Sequence, residues 1–89
     1  MIRRTSHFSG RVQGVGFRYT AQDIARNFNI AGYVRNLPDG RVELVAEGDE
    51  AEIDRLLQSI AQRMEGFIKQ RTDTDMPASG QFKDFSIRP

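Results

Sequence analysis

The 89-residue sequence contains no cysteine, no tryptophan and only one histidine. The absence of cysteine excludes disulfides, iron–sulfur clusters, thiolate nucleophiles and cysteine-ligated zinc. A single histidine cannot build a multi-histidine metal site. Catalysis would therefore have to use Arg, Lys, Asn, Asp, Glu, Ser, Thr, Tyr or backbone groups, and we expect neither a metal nor an organic cofactor.

Long apolar runs and an excess of one charge are also missing. No run approaches the roughly 18–20 apolar residues of a membrane span, and the N-terminus lacks the apolar core of a signal peptide. We therefore expect a cytoplasmic protein with no membrane partner. The 13 basic and 12 acidic residues leave a net charge of +1, which provides little electrostatic attraction for nucleic acid, so no such partner is expected.

The composition is otherwise that of an ordinary globular protein. Hydrophobic residues make up 38% of the chain and charged residues 28%. The length exceeds the roughly 70–80 residues below which a core usually needs disulfides or metals. Because no linker, repeat or low-complexity tract interrupts the sequence, we predict a single domain over residues 1–89. We also expect the protein to be a monomer.

The first half of the chain reads as strand, helix and hairpin. Residues 2–9 alternate loosely, with Ile2 and Phe8 on one face of a predicted strand. A helix is predicted to follow and to end at Gly32, in a left-handed conformation. Pro38, Asp39 and Gly40 favour a turn between strands at 33–36 and 41–47. The apolar stripe of the helix consists of Phe17, Ala21, Ile24 and Phe28.

The second half contains the strongest amphipathic helix. Asp49 and Glu52 have the spacing of a reciprocal helix cap, and Gly66 is predicted to end the helix. Two last strands are predicted at 67–75 and 82–87, joined by a loop. The apolar stripe of this helix consists of Ile53, Leu56, Leu57, Ile60 and Met64.

The order strand–helix–strand–strand–helix–strand, with the last strand split, predicts the fold class. Two helices that each carry one apolar stripe need a shared sheet face to cover. We therefore predict an α+β, ferredoxin-like split βαβ (βαββαβ) sandwich, with two helices packed on one face of an antiparallel sheet. Many unrelated functions use this fold, so the fold alone does not predict the activity.

The junction between the first strand and helix is the one segment suited to a ligand. Gly14 and Gly16 allow the backbone to curl, and the first N–H groups of a helix attract anions. Arg18 can clamp two phosphate oxygens with its planar guanidinium. The alternative is a tight turn followed by a solvated arginine. Tyr19 stands where a dinucleotide-binding motif needs its third glycine, and no Gly-Lys-Ser/Thr motif occurs.

Three segments resemble the acylphosphatase family. Residues 10–18 (GRVQGVGFR) closely match the signature of that family, and few of these nine positions are wildcards. Residues 32–43 (GYVRNLPDGRVE) resemble its second block, and residues 85–88 (FSIR) its usual ending. The resemblance is strong from about residue 8 to residue 60 and thinner beyond. The segment from Gly66 to Pro77 departs from the family, because residues 66–69 lack its usual prolines and alanine.

The resemblance implies hydrolysis of a small-molecule acyl phosphate, a carboxyl–phosphate anhydride, to a carboxylate and inorganic phosphate, without a metal or a covalent intermediate. Inorganic phosphate is expected as product and inhibitor. Arg18 would bind the phosphate, and Asn36 would position the attacking water. The backbone N–H groups that would cradle the phosphate belong to Gln13, Gly14, Val15, Gly16, Phe17 and Arg18.

Two other functions are compatible with the fold. One is a non-catalytic anion- or RNA-binding module, since residues 16–19 loosely echo an aromatic RNA-contact motif. The other is a regulatory domain that serves a larger complex. His7 is interpreted as an exposed strand residue, and Asp73 and Asp75 as a solvated face and not a metal pair. Phe28 and Met64 are assigned to the core.

Overall fold

The computed structural model describes every residue from Met1 to Pro89. The chain forms five strands and two helices in the predicted order, with the last strand split in two. In sequence they are β1 (Ile2–Gly10), α1 (Phe17–Ala25), β2 (Ala31–Asn36), β3 (Val42–Gly48), α2 (Glu50–Arg63), β4 (Ile68–Pro77) and β5 (Phe85–Arg88).

The strands form one sheet in the order β4-β1-β3-β2-β5, and both helices pack on one of its faces. This confirms the predicted ferredoxin-like sandwich. The sheet is not wholly antiparallel, however, because β5 pairs in parallel with β2. The chain leaves β4 at one edge and reaches the opposite edge through residues 78–84, so β5 runs in the direction of β2. Neither helix is long and apolar enough to cross a membrane.

The core lies between the helices and the sheet, as the two helical stripes predict. The stripe of α2 is fully buried, and Met64 continues it just beyond the helix end. Phe8 of β1 packs against Phe17 of α1 with 4.8 Å between the ring centroids. The buried strand residues that meet the helices include Phe8, Val34, Val42, Leu44 and Ala46.

Two polar residues share the buried face of β1 with Phe8. Arg4 is only 8% exposed, and its guanidinium contacts Asp54 of α2 at 2.6 Å and Asp75 of β4 at 2.8 Å. Ser6 donates a hydrogen bond to Asp73 at 2.7 Å. Asp73 and Asp75 lie on the exposed strand β4, as predicted, but their carboxylates also bind side chains of β1. A buried charge needs such partners to offset its loss of hydration.

The first helix ends earlier than its apolar stripe predicts. Helix α1 stops at Ala25, and Phe28 packs against the core from the following turn while remaining half-buried. The prediction that Gly32 ends this helix is therefore wrong. Gly32 lies within β2, where a Cβ atom would come within 1.8 Å of the Val45 carbonyl oxygen. The glycine is needed for this close approach between strands.

The predicted cap of α2 is confirmed in position but not in chemistry. Asp49 is the residue before the helix, yet its side chain makes no capping hydrogen bond. Glu50 and Glu52 occupy the first turn, where negative charge is favourable beside the positive end of the helix dipole. The first turn therefore carries favourable negative charge but lacks the reciprocal cap that the spacing indicates.

The segment that departs from the family pattern forms a regular strand. Strand β4 pairs with β1 from Pro77 opposite Ile2 to Ile68 opposite Gly10, with one irregularity beside Ser9. The connection after β4 is held by Glu47, whose carboxylate accepts bonds from the Ser79 and Gly80 N–H groups at 2.8 and 2.9 Å. The missing prolines and alanine therefore do not prevent this strand from pairing along its length.

Candidate active site

The loop between β1 and α1 has the sharp curvature that its glycines predict. Gly14 and Gly16 have φ values of 76° and 80°, a left-handed conformation that strains any residue with a Cβ atom. Gly16 is the residue that precedes α1. The chain therefore turns directly from the loop into the first turn of the helix.

The backbone of this loop keeps its hydrogen-bond donors unpaired. The N–H groups of Gln13 through Arg18 donate to no acceptor within the protein. The first N–H groups of a helix have no internal partner and carry the positive end of the helix dipole. Together they provide a set of donors suited to an anion with several oxygens.

Arg18 is also without a partner inside the protein. It lies in the first turn of α1, is half-buried and forms neither an ion pair nor a side-chain hydrogen bond. Its neighbours of like charge behave differently: Arg26 pairs with Asp23, and Arg41 pairs with Asp39. Arg18 is therefore a free guanidinium beside a set of free N–H donors.

Asn36 comes to the same place from β2. Both β1 and β2 run antiparallel to β3, so their last residues lie at the same end of the sheet, on either side of β3. Phe8 and Asn36 each pair with Val42, which puts them level on either side of β3. Asn36 is half-buried, and its side-chain amide makes no hydrogen bond within the protein.

A cavity of about 160 Å³ brings these groups together. Arg18 and Asn36, predicted as a pair, both line it, whereas Gln13 and Val15 of the predicted cradle do not. The side chain of Val15 packs against the core instead. No carboxylate, imidazole or thiol lines the cavity. Its lining consists of Val12, Gly14, Gly16, Phe17, Arg18, Tyr19 and Asn36.

Gln13 has a side-chain contact that the sequence did not reveal. Its Nε2 atom donates to the carbonyl oxygens of Leu37 at 2.8 Å and Arg41 at 2.9 Å. These two carbonyls belong to the β2–β3 turn that follows Asn36. Gln13 thus ties the glycine loop to the hairpin that carries Asn36, which fixes the two halves of the site relative to each other.

Comparison with known proteins shows the family of the chain. The family model described as "Acylphosphatase" matches residues 5–87. The chain belongs to the acylphosphatase family. It is 42% identical over 79 residues to an acylphosphatase of Acaryochloris marina, covering 89% of this chain and 85% of that protein. It is 51% identical over 71 residues to one of Methanospirillum hungatei, covering 80% and 78%.

A solved structure supports the same assignment. The crystal structure of an acylphosphatase from Bacillus subtilis superposes with a TM-score of 0.92, at 33% identity and with both chains fully covered. The reaction of this family is the hydrolysis of acyl phosphates, and the predicted enzyme function is confirmed at that level. The small-molecule substrate is accordingly an acyl phosphate.

The RNA-binding alternative is not favoured. An RNA-contact motif requires aromatic rings on the open surface of central strands. Phe17 is only 2% exposed and lies in the core against Phe8. Tyr19, the other ring of the motif, projects from a helix and not from the sheet. The aromatic pair therefore has the wrong placement for stacking on bases.

The remaining polar candidates lie away from the cavity. His7 is half-buried rather than exposed, and its Nε2 atom lies 3.1 Å from Glu43. Its strand register places it on the face of the sheet opposite Phe8 and the helices. No group of three His, Asp or Glu side chains is close enough together to hold a metal ion.

Proposed function

We propose that this acylphosphatase hydrolyses its substrate by direct attack of a positioned water, with Arg18 and Asn36 as its catalytic residues. The observation that carries the proposal is that these two side chains, from α1 and β2, line one cavity with the glycine loop. Neither has a partner inside the protein, so both are available to the reacting groups.

Arg18 and the loop N–H groups are assigned to the phosphate. The guanidinium presents two parallel donors to two phosphate oxygens, and the loop donors from Gln13 to Arg18 surround the others. As the bond to the leaving carboxylate breaks, charge spreads over the phosphoryl oxygens. Donors already aimed at those oxygens stabilise this charge without reorganisation.

Asn36 is assigned to the water. Its amide is neutral at every working pH, so it can orient a water molecule without repelling the phosphate dianion. A carboxylate at position 36 would repel the phosphate dianion. The water oxygen forms a bond to phosphorus while the bond from phosphorus to the acyl oxygen breaks. The electron pair leaves with the carboxylate.

The proton of the water passes to an oxygen of the substrate phosphate. The products are then a carboxylate and dihydrogen phosphate, and the charges balance. No carboxylate, imidazole or amine that could act as a general base lines the cavity. Because a carboxylate is already a good leaving group, no acid is needed to protonate it.

We also propose that hydrolysis needs no metal, since the side chains that line the cavity include none of the usual metal ligands except one amide. Inorganic phosphate, which carries the same oxygens as the substrate, is proposed to inhibit competitively and to stabilise the fold. We further propose that residues 1–89 form a single domain. The protein is proposed to be a cytoplasmic monomer without a nucleic-acid partner.

The direct test is hydrolysis of benzoyl phosphate by the purified protein, before and after exhaustive EDTA treatment. We expect equal rates in the two samples and competitive inhibition by inorganic phosphate. Loss of the rate with EDTA, followed by its recovery with added Mg²⁺ or Zn²⁺, would contradict the metal-independent mechanism. Absence of hydrolysis in both samples would contradict the proposed reaction itself.

A further inference from the structure

Tyr19 is an exposed aromatic residue at the mouth of the active-site cavity. Its side chain is 70% exposed, and it lines the same cavity as Arg18 and Asn36. Two other large apolar side chains, Met1 and Met76, are strongly exposed, and neither lines this cavity. Tyr19 is therefore the one large, exposed apolar side chain that lines the cavity.

The Tyr19 ring has no structural partner. Its hydroxyl makes no hydrogen bond, and its ring joins no aromatic or cation–π pair. The other tyrosine shows the contrast: the Tyr33 hydroxyl donates to Glu43 at 3.2 Å, and its ring packs edge-on against Phe82. The packing of the fold therefore accounts for Tyr33 but not for Tyr19.

The geometry of the cavity sets where the acyl part of a substrate must lie. With the phosphate held by the loop and Arg18, the acyl group bonded to it has to extend outward. The other two apolar side chains of the lining, Val12 and Phe17, are 1% and 2% exposed and form the buried floor. Tyr19 is then the apolar surface available to the acyl group at the mouth.

We propose that Tyr19 determines the acyl specificity of the enzyme by packing its ring against the acyl group of the substrate. The inference rests on the proposed function and adds a specificity-determining residue to it: contact with the Tyr19 ring favours acyl phosphates with an aromatic or bulky apolar acyl group over acetyl phosphate. Aromatic rings gain from stacking beyond the area they bury, whereas an acetyl group offers one methyl to the ring. The contact exists before and during the reaction, so it lowers KM and leaves kcat unchanged.

The experiment compares benzoyl phosphate with acetyl phosphate in the wild type, Tyr19→Ala and Tyr19→Phe. For Tyr19→Ala, we expect KM for benzoyl phosphate to rise about fivefold, with kcat within twofold. KM for acetyl phosphate and the inhibition constant of inorganic phosphate should stay within twofold of the wild type, since neither ligand has a large apolar group that packs against the Tyr19 ring. Tyr19→Phe should behave as the wild type because the hydroxyl has no role.

Met76→Ala is the matched control, since it removes an exposed apolar side chain away from the cavity and should change neither substrate. Unchanged kinetics in Tyr19→Ala, or an equal change for both substrates, would overturn the assignment of Tyr19 while leaving the hydrolytic function intact. A wild type that hydrolyses neither substrate would overturn the proposed function, and the inference about Tyr19 with it.

Discussion

At the scale of single residues, the active site differs from the rest of the surface in how its polar groups are paired. The one buried arginine, Arg4, is paired with Asp54 and Asp75. Arg18 and Asn36 have no such partners. Leaving them unpaired gives up stabilising contacts in the free protein, and the proposed binding of the phosphate to Arg18 and of the attacking water to Asn36 restores these contacts. The residues proposed to be catalytic are therefore those whose donors have no partner within the protein.

Removing the Gln13 side chain should impair catalysis without unfolding the protein. Gln13→Ala deletes both hydrogen bonds to the β2–β3 turn, so the loop and Asn36 are no longer held in register. We expect kcat/KM for benzoyl phosphate to fall about tenfold, by analogy with the loss of a positioning contact. Steady-state kinetics with thermal melting as the stability readout checks this.

The matched control for Gln13→Ala is Gln58→Ala, which truncates an exposed glutamine on α2 and should leave kcat/KM unchanged. Gln13→Glu should be as poor as Gln13→Ala, because a carboxylate cannot donate to two carbonyl oxygens. Wild-type activity in both Gln13 variants would show that the tether has no part in positioning the site.

Replacing His7 should leave catalysis almost unchanged. His7 pairs with Glu43 on the face of the sheet opposite the helices, whereas Asn36 faces the helices. We expect His7→Ala to keep its rate within about threefold. A collapse of the rate in a folded variant, measured by the same assay and circular dichroism, would identify His7 as a general base.

Sequence reasoning named two residues that the structure brings to one cavity, but it did not find residues that are defined by tertiary contacts. Arg18 and Asn36 were predicted together, since the resemblance assigns a role to both. The side-chain bonds of Gln13 and the exposure of Tyr19 were not predicted. Each depends on how the loop and helix sit against the hairpin, and no periodicity in the sequence reports that arrangement.

At the scale of elements, the β4–β5 connection should be sensitive to pH through Glu47. Burial by itself would raise the pKa of this carboxyl, but hydrogen bonds from Ser79, Arg3 and Gly80 outweigh burial and hold the pKa at about 2, below its ordinary value of 4.5. A group with a lowered folded-state pKa adds stability above its unfolded pKa. This contribution is lost as the pH falls from 4.5 towards about 2.

Glu47→Gln should therefore be less stable at pH 7 by about 2 kcal/mol, the scale of a lost hydrogen-bonded charge. Its free energy of unfolding should also fall less steeply than that of the wild type below pH 4.5. Urea denaturation at several pH values measures both effects. Glu65→Gln, at an exposed site without an ion pair, is the control. Identical pH profiles for Glu47→Gln and the wild type would show that Glu47 does not hold this connection.

The order of elements could be predicted from hydrophobic periodicity, but their ends could not. The stripe that continues to Phe28 extends past the end of α1 because Phe28 reaches the core from a turn. Gly32 resembled a helix end, yet it is required by close contact between β2 and β3. In both cases a tertiary contact produces the same local sequence signal as a helix.

At the scale of the whole molecule, the topology assembles the site. Because β1 and β2 flank β3 and run parallel to each other, their carboxyl ends lie at the same end of the sheet. The loop after β1 carries the donors that are assigned to the phosphate, and the last residue of β2 carries the amide that is assigned to the water. Residues 18 positions apart in sequence, Arg18 and Asn36, therefore share one cavity without any long or flexible connection.

The most direct test of the mechanism separates binding from reaction in two variants. Isothermal titration with inorganic phosphate measures binding, and hydrolysis of benzoyl phosphate measures reaction. Arg18→Ala should lose both, with a barrier raised by about 3–4 kcal/mol. Asn36→Ala should bind phosphate as the wild type does, while its rate falls by a factor of several hundred, because it loses only the contact to water.

The matched controls are Arg26→Ala and Asn27→Ala, at exposed positions just beyond α1, which should bind and react normally. The predicted result is one folded variant that neither binds nor reacts and another that binds but does not react. Normal turnover in Asn36→Ala, or a loss of phosphate binding in that variant as severe as in Arg18→Ala, would contradict the separate roles assigned to the two residues.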